Sequence, residues 1–113
     1  MRATEKSDLL PGTLEMLILV TLRRGPLHGY AIAQRIKQTS DDLLHVEEGS
    51  LYPALQRLLI QDWVSAVWGM SGRNRRVRIY TLTPSGRKQL NQEVKRVGRL
   101  IDGITRVMRP SEA

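Results

Sequence analysis

The chain has 113 residues, 41% of them hydrophobic, which is enough for one compact domain with a real core and too few for two. It holds no cysteine and only two histidines, His28 and His45, so disulfide and thiolate chemistry are excluded and neither a metal site nor a cofactor is expected. The formal net charge is +7, no apolar run approaches the roughly 18 residues of a membrane span, and the start carries no signal-peptide pattern; a cytoplasmic protein is the expectation.

In chain order, the residues before Leu9 read as a polar, frayed start. A first helix is expected from near Thr13 to Arg24, stopped by Gly25-Pro26. A second runs from about His28 to Thr39, with Ile32, Ala33 and Ile36 facing inward, and Ser40-Asp41-Asp42 breaks it. The start of that helix offers free N–H groups to a phosphate, and the Tyr30 hydroxyl can join them; Tyr30 packed under the third helix is an equal alternative. His28 reads as a cap or a surface group. Leu43, Leu44 and Val46 form a short apolar connector, with a minor strand as one option.

The third helix spans roughly Ser50 to Gln61. Leu51, Leu55, Leu58 and Leu59 fall at i, i+4, i+7 and i+8, a single buried stripe. Ser50 is the expected N-cap and Pro53 the first-turn proline. On the other side lie Ser50, Tyr52, Gln56 and Arg57, which can hydrogen-bond yet are not needed to hold the helix. Gln reads adenine, Arg reads guanine, and Ser or Tyr binds phosphate. Glu47 and Glu48 suit the positive end of the helix dipole but would repel a phosphate, so they are expected to be turned aside or paired with an arginine.

Trp63 to Trp68 alternates as a strand, with Val64, Ala66 and Trp68 on one side. Gly69-Met70-Ser71-Gly72 with Asn74 is turn chemistry, and Val77 to Leu82 is the returning strand. Arg73, Arg75, Arg76 and Arg78 crowd this hairpin with no carboxylate among them. Guanidinium groups bind phosphates bidentately and enter narrow minor grooves. Trp63 and Trp68 are expected in core and hairpin packing. Thr83-Pro84 then starts the last helix, Thr as N-cap and Pro at the first helical position, and the helix continues to about Met108. Leu90, Val94, Val97, Ile101, Ile104 and Met108 are spaced 4, 3, 4, 3, 4, a heptad seam widened by Leu100 and Val107. A helix of about 25 residues is about 37 Å long and overhangs a small core, so a second copy of the chain is the expected cover.

The charge follows the same division. Met1 to Trp68 carries 7 Lys+Arg against 8 Asp+Glu, a net of −1; Gly69 to Thr83 carries 4 arginines and no acid; Pro84 to Ala113 carries 7 bases against 3 acids, a net of +4. Positive charge gathered in this way is the footprint of a phosphate-bearing partner. There is no close acid–base pair, and the Gly69–Gly72 turn is no nucleotide loop because no helix follows it; an enzyme is not expected. A helix followed by an arginine-tipped hairpin is the layout of a winged helix on DNA, the fold class being mainly α with a small hairpin (α+β).

Four blocks of sequence strengthen this. LLPGTLEMLIL from Leu9 to Leu19, GPLHGYAIAQRI from Gly25 to Ile36, VEEGSLYPALQRL from Val46 to Leu58 and YTLTPSGRKQL from Tyr80 to Leu90 resemble the PadR family of bacterial transcription regulators and, with the wing, cover nearly the whole chain. The resemblance implies a winged helix-turn-helix domain, assigned here to residues 1–83, and a C-terminal dimerisation helix, residues 84–113. It also implies repression of nearby promoters, commonly relieved by a small molecule. Tyr30, Ser50, Tyr52, Pro53 and the wing arginines match the family's DNA-facing positions. One departure is Asp62, where a glycine usually closes the recognition helix. With a single C-terminal helix, a small hydrophobic effector would have to bind between protomers. A homodimeric repressor on double-stranded DNA is therefore expected, reading a pseudo-palindrome. The alternative is a winged-helix adaptor for proteins, since fold alone does not settle function; an adaptor has no need of four unpaired arginines.

Overall fold

In a computed structural model of the protein, which describes residues 12–110, the elements follow as α1 (Thr13–Leu22), β1 (Leu27–His28), α2 (Gly29–Thr39), α3 (Glu48–Ile60), β2 (Val64–Met70), β3 (Arg76–Leu82) and α4 (Pro84–Met108). The polar start before Leu9, and the first residues of the Leu9–Leu19 block, lie outside the described residues. α1 is apolar on nearly every side, and a helix of that kind belongs in an interior. It contacts α2, α3, α4 and β3, and buries Leu14, Ile18, Leu19 and Leu22. Around it close Ile32 and Ile36 of α2, the α3 stripe of Leu51, Ala54, Leu55 and Leu58, then Val64, Tyr80 and Leu82 of the hairpin and Leu90 of α4.

The sheet has the order β1-β3-β2 and is antiparallel throughout. β2 and β3 pair from Val64↔Leu82 at the base to Met70↔Arg76 at the tip. Side chains alternate between faces along a strand. One face therefore carries Val64, Ala66 and Trp68 opposite Leu82, Tyr80 and Arg78. Its base is buried, while Trp68 and Arg76 at its outer end are open. β1 is a two-residue strand after Gly25-Pro26 pairing Leu27↔Tyr80 and His28↔Ile79. The minor strand considered at Leu43–Val46 is corrected: Asp41 and Asp42 take left-handed φ values of 53° and 66°, and the chain runs on to α3 without pairing.

The start of α3 is a second correction. The helix begins at Glu48 with Glu47 as N-cap, and no side chain caps it. Ser50 is thus inside the first turn, and Pro53 lies within the helix, not in its first turn. Its missing N–H leaves the Gly49 carbonyl without the usual i−4 partner, a loss tolerated because Gly49, Ser50 and Pro53 are all exposed.

The passage from α3 to α4 is tightly built. Asp62 adopts a left-handed φ of 63°, the conformation a glycine would take most easily. Its carbonyl accepts hydrogen bonds from Thr83 Oγ1 at 2.7 Å and Ser85 Oγ at 3.0 Å. Thr83 Oγ1 in turn accepts from the Gly86 N–H at 2.9 Å, the expected N-cap, ahead of Pro84. A Cβ at Gly86 would stand 1.9 Å from the Trp63 carbonyl oxygen, so no other residue fits there.

α4 has 25 residues, about 37 Å at 1.5 Å per residue. Only its first turns belong to the core. Leu90 is fully buried in its own chain, so it does not belong to the expected dimerisation seam: the core of the chain already uses it. Beyond it, Val94, Ile101, Ile104 and Met108 are exposed, with Leu100 and Val107 beside them and Val97 half-covered. The projecting helix gives the protomer extents of 62 × 35 × 21 Å and a radius of gyration of 16.0 Å, against about 13 Å for a compact chain of this length.

Candidate nucleic-acid interface

Three parts of the chain meet around one open cleft of about 960 Å³: the start of α2, Tyr52 of α3, and the wing formed by β2, β3 and their turn. His28 caps α2, its Nδ1 accepting the Ala31 N–H at 3.4 Å. Gly29 follows because Tyr52 lies directly over it; a Cβ there would be 2.9 Å from the Tyr52 hydroxyl. Tyr30 is 59% exposed, and its hydroxyl accepts from Gln34 Nε2 at 3.1 Å. The packed alternative for Tyr30 is thereby excluded. Tyr80 forms the floor. Burial, chiefly, holds its phenol above the usual pKa of 10.0 against the opposing pull of the Arg78 charge, so it stays protonated at neutral pH.

The wing supplies the cations. The turn closes with Ser71 N–H donating to the Arg75 carbonyl at 2.8 Å, and Asn74 takes the left-handed φ of 60° that the turn requires. Arg73 and Arg75 occupy this tip. Arg76 and Arg78 lie on the strand, their guanidinium carbons 4.5 Å and 5.5 Å from the centre of the Trp68 ring. None of the four pairs with a carboxylate among the described residues. Arg78 Nε is covered and has no hydrogen-bond partner there.

Six of the ten residues expected to meet DNA therefore line this one cleft: Tyr30, Tyr52, Arg73, Arg75, Arg76 and Arg78. Ser50, Pro53 and Gln56 are exposed on the outer face of α3 beside it, not in its lining. Arg57 has a partner that its spacing does not foretell: its Nε donates to Glu15 Oε2 of α1 at 2.6 Å, while its side chain stays 56% exposed. Glu48 lines the cleft and is not turned aside as expected. Sequence reasoning missed the stacking role of Trp68 and the space made by Gly29. The first depends on the register of the hairpin, which places Trp68 opposite Arg78.

Among the described residues, no group of three His, Cys, Asp or Glu side chains could hold a metal ion, and no helix is long and apolar enough to cross a membrane.

Residues 18–92 match the family described as the transcriptional regulator PadR-like family. The chain is 30% identical over 78 residues to the negative transcriptional regulator PadR of Bacillus subtilis (strain 168), covering 69% of this chain and 43% of that protein. The curated relatives it matches are spanned to between 27% and 83% of their own length. A solved transcriptional regulator from Clostridium thermocellum superposes with a TM-score of 0.76 at 26% identity, over 84% of this chain and 92% of that one. Bacillus subtilis PadR in complex with operator DNA superposes with a TM-score of 0.67 at 27% identity, over 76% of this chain and 48% of that one.

Proposed function

The chain belongs to the PadR-like family of transcriptional regulators, and on that premise we propose that it is a sequence-specific DNA-binding repressor working as a homodimer. Each protomer lays the outer face of α3, with Ser50, Tyr52, Pro53 and Gln56, along a major groove. The wing arginines and the start of α2 take the neighbouring backbone or minor groove. Two protomers joined along α4 read two halves of a pseudo-palindrome, about one helical turn apart or a multiple of it. The observation that carries this reading is the cleft itself: four arginines without carboxylate partners among the described residues face the N-terminus of α2 and Tyr52. A duplex bound at a solved relative, the Bacillus subtilis PadR complex with operator DNA, supports it.

Dimerisation has its own support. The line Val94, Val97, Ile101, Ile104, Met108 continues for four turns past the core with its side chains largely open to solvent. Covering such side chains is worth roughly 1.5–3 kcal/mol each. A second copy of α4 supplies a matching stripe in a closed, two-fold arrangement. Any small hydrophobic effector binds where the two copies meet. Repression follows from occupancy of a promoter, and its direct test is a mobility-shift titration with the DNA upstream of the protein's own gene. Retention of that duplex against an excess of scrambled DNA is the expected result. Equal binding to both, insensitive to salt, would rule out the specific repressor.

A further inference from the structure

Two guanidinium groups that face one ring call for an explanation. Arg78 is the direct cross-strand neighbour of Trp68, and Arg76 is its diagonal neighbour, opposite Met70. The period of two places all three side chains on the face that looks into the cleft. Like charges brought together repel, and among the described residues no carboxylate pairs with either one. The attraction comes instead from the negative face of the indole, with Arg76 4.5 Å and Arg78 5.5 Å from its centre. Trp68 is itself 57% exposed, so it adds little to the core. A large aromatic ring left in water on a hairpin is better explained by what it holds than by what it buries.

We propose that Trp68 is the positioning residue of the wing: its ring holds Arg76 and Arg78 as one fixed pair of cations aimed into the cleft, and thereby sets how the wing meets DNA phosphates. The proposal rests on the DNA-binding reading and deepens it. Arginine side chains free in solvent lose rotamer freedom when they meet a phosphate. Arginines already stacked have lost that freedom beforehand. The Nε of Arg78 is covered and has no hydrogen-bond partner among the described residues, which leaves its terminal nitrogens as the ones to meet a phosphate.

The test uses the whole chain and a duplex taken from upstream of its own gene. Trp68→Leu keeps an apolar side chain suited to a strand but removes the π face; Trp68→Phe keeps a π face. In the free protein, the δ protons of Arg76 and Arg78 should show upfield ring-current shifts in NMR spectra, lost in Trp68→Leu and retained in Trp68→Phe. Duplex affinity should fall about two- to fivefold in Trp68→Leu, the scale of one exposed cation–π contact, and recover most of this in Trp68→Phe. Thermal midpoints of both variants should stay close to that of the parent. In a background lacking both side chains, Arg76→Ala with Arg78→Ala, adding Trp68→Leu should cost nothing further.

An equal loss in that background would mean that Trp68 touches DNA itself or supports the fold, and would overturn the proposal. So would unchanged affinity in Trp68→Leu once the ring-current shifts are gone. If the parent chain binds no duplex, the DNA reading falls and the proposal with it. That outcome is distinct, because it appears before any substitution is made.

Discussion

Replacing Arg75 and Arg76 by alanine tests the wing by counting charges. The wing carries four arginines, Arg73, Arg75, Arg76 and Arg78, none of them paired with a carboxylate among the described residues, and a dimer would present twice that number. Each phosphate neutralised on B-DNA contributes about −0.9 to the slope of log affinity against log salt. If all eight reach phosphates, the parent slope from the wings is about −7, and the double variant's is about −3.6. Over a fourfold rise in salt, from about 50 to 200 mM, affinity then falls about 10⁴-fold for the parent and about 10²-fold for the variant. If only half make contact, both slopes halve and their ratio remains about one half. Contacts from helix starts add the same amount to each and raise the ratio above that value. Fluorescence anisotropy at three salt concentrations, with the upstream duplex and a scrambled duplex, measures the slopes. Binding should weaken on both duplexes, because backbone contacts carry no sequence information. An unchanged slope, or a loss confined to the upstream duplex, would refute the assignment of these arginines to phosphates.

Three further outcomes are expected. Gln56→Ala, on the exposed face of α3, should cost roughly 1–3 kcal/mol on the preferred duplex and leave scrambled DNA unaffected; a uniform loss would place Gln56 on the backbone. Ile101→Asp should yield monomers in sedimentation velocity. Losing about 2 kcal/mol of burial on each of two chains weakens association by about 10³-fold, while the fold of the protomer, where Ile101 is 55% exposed, is preserved. Dimers that persist would mean that α4 is not the interface. Gly86→Ala should destabilise by about 2–3 kcal/mol, lowering the Tm by about 10 °C or more, because its Cβ would collide with the Trp63 carbonyl oxygen. A stability equal to the parent's would mean that the junction can open without cost.

Much of the fold is legible in the residues because local chemistry and tertiary need agree. Thr83-Pro84 marks the start of α4 both by capping and by fixed φ, and the structure begins α4 at Pro84. The leucine stripe of α3 is buried as its period requires. Asp62 was readable as a residue in a glycine's place, and it takes the glycine's conformation. The misses share a cause. The first turn of α3 is Glu-Gly-Ser with no side-chain cap, so only its acidic residues mark its start, and Ser50-Pro53 imitates a stronger start one turn late. β1 has only two residues, too short for any period to show. Arg57 depends on Glu15, 42 residues away, and Leu90 depends on the packing of α1 against α4. Both are decided by tertiary neighbours, which spacing along one helix cannot report. The wing cations were plain in the sequence, whereas the ring that collects two of them required the register of the hairpin.

The knot around the Asp62 carbonyl joins three things at a single atom: the end of α3, the root of the wing and the first turn of the long C-terminal helix. In the proposed homodimer this would make each protomer an arm and its α4 the handle. In a pair of such arms the distance between the two wings is set by how the handles cross, much as the opening of a pair of calipers is set at its pivot. Half-site spacing would then be written into the angle between two α4 helices, and anything that wedges them apart would change the span of DNA the pair can straddle without touching a single DNA-facing side chain.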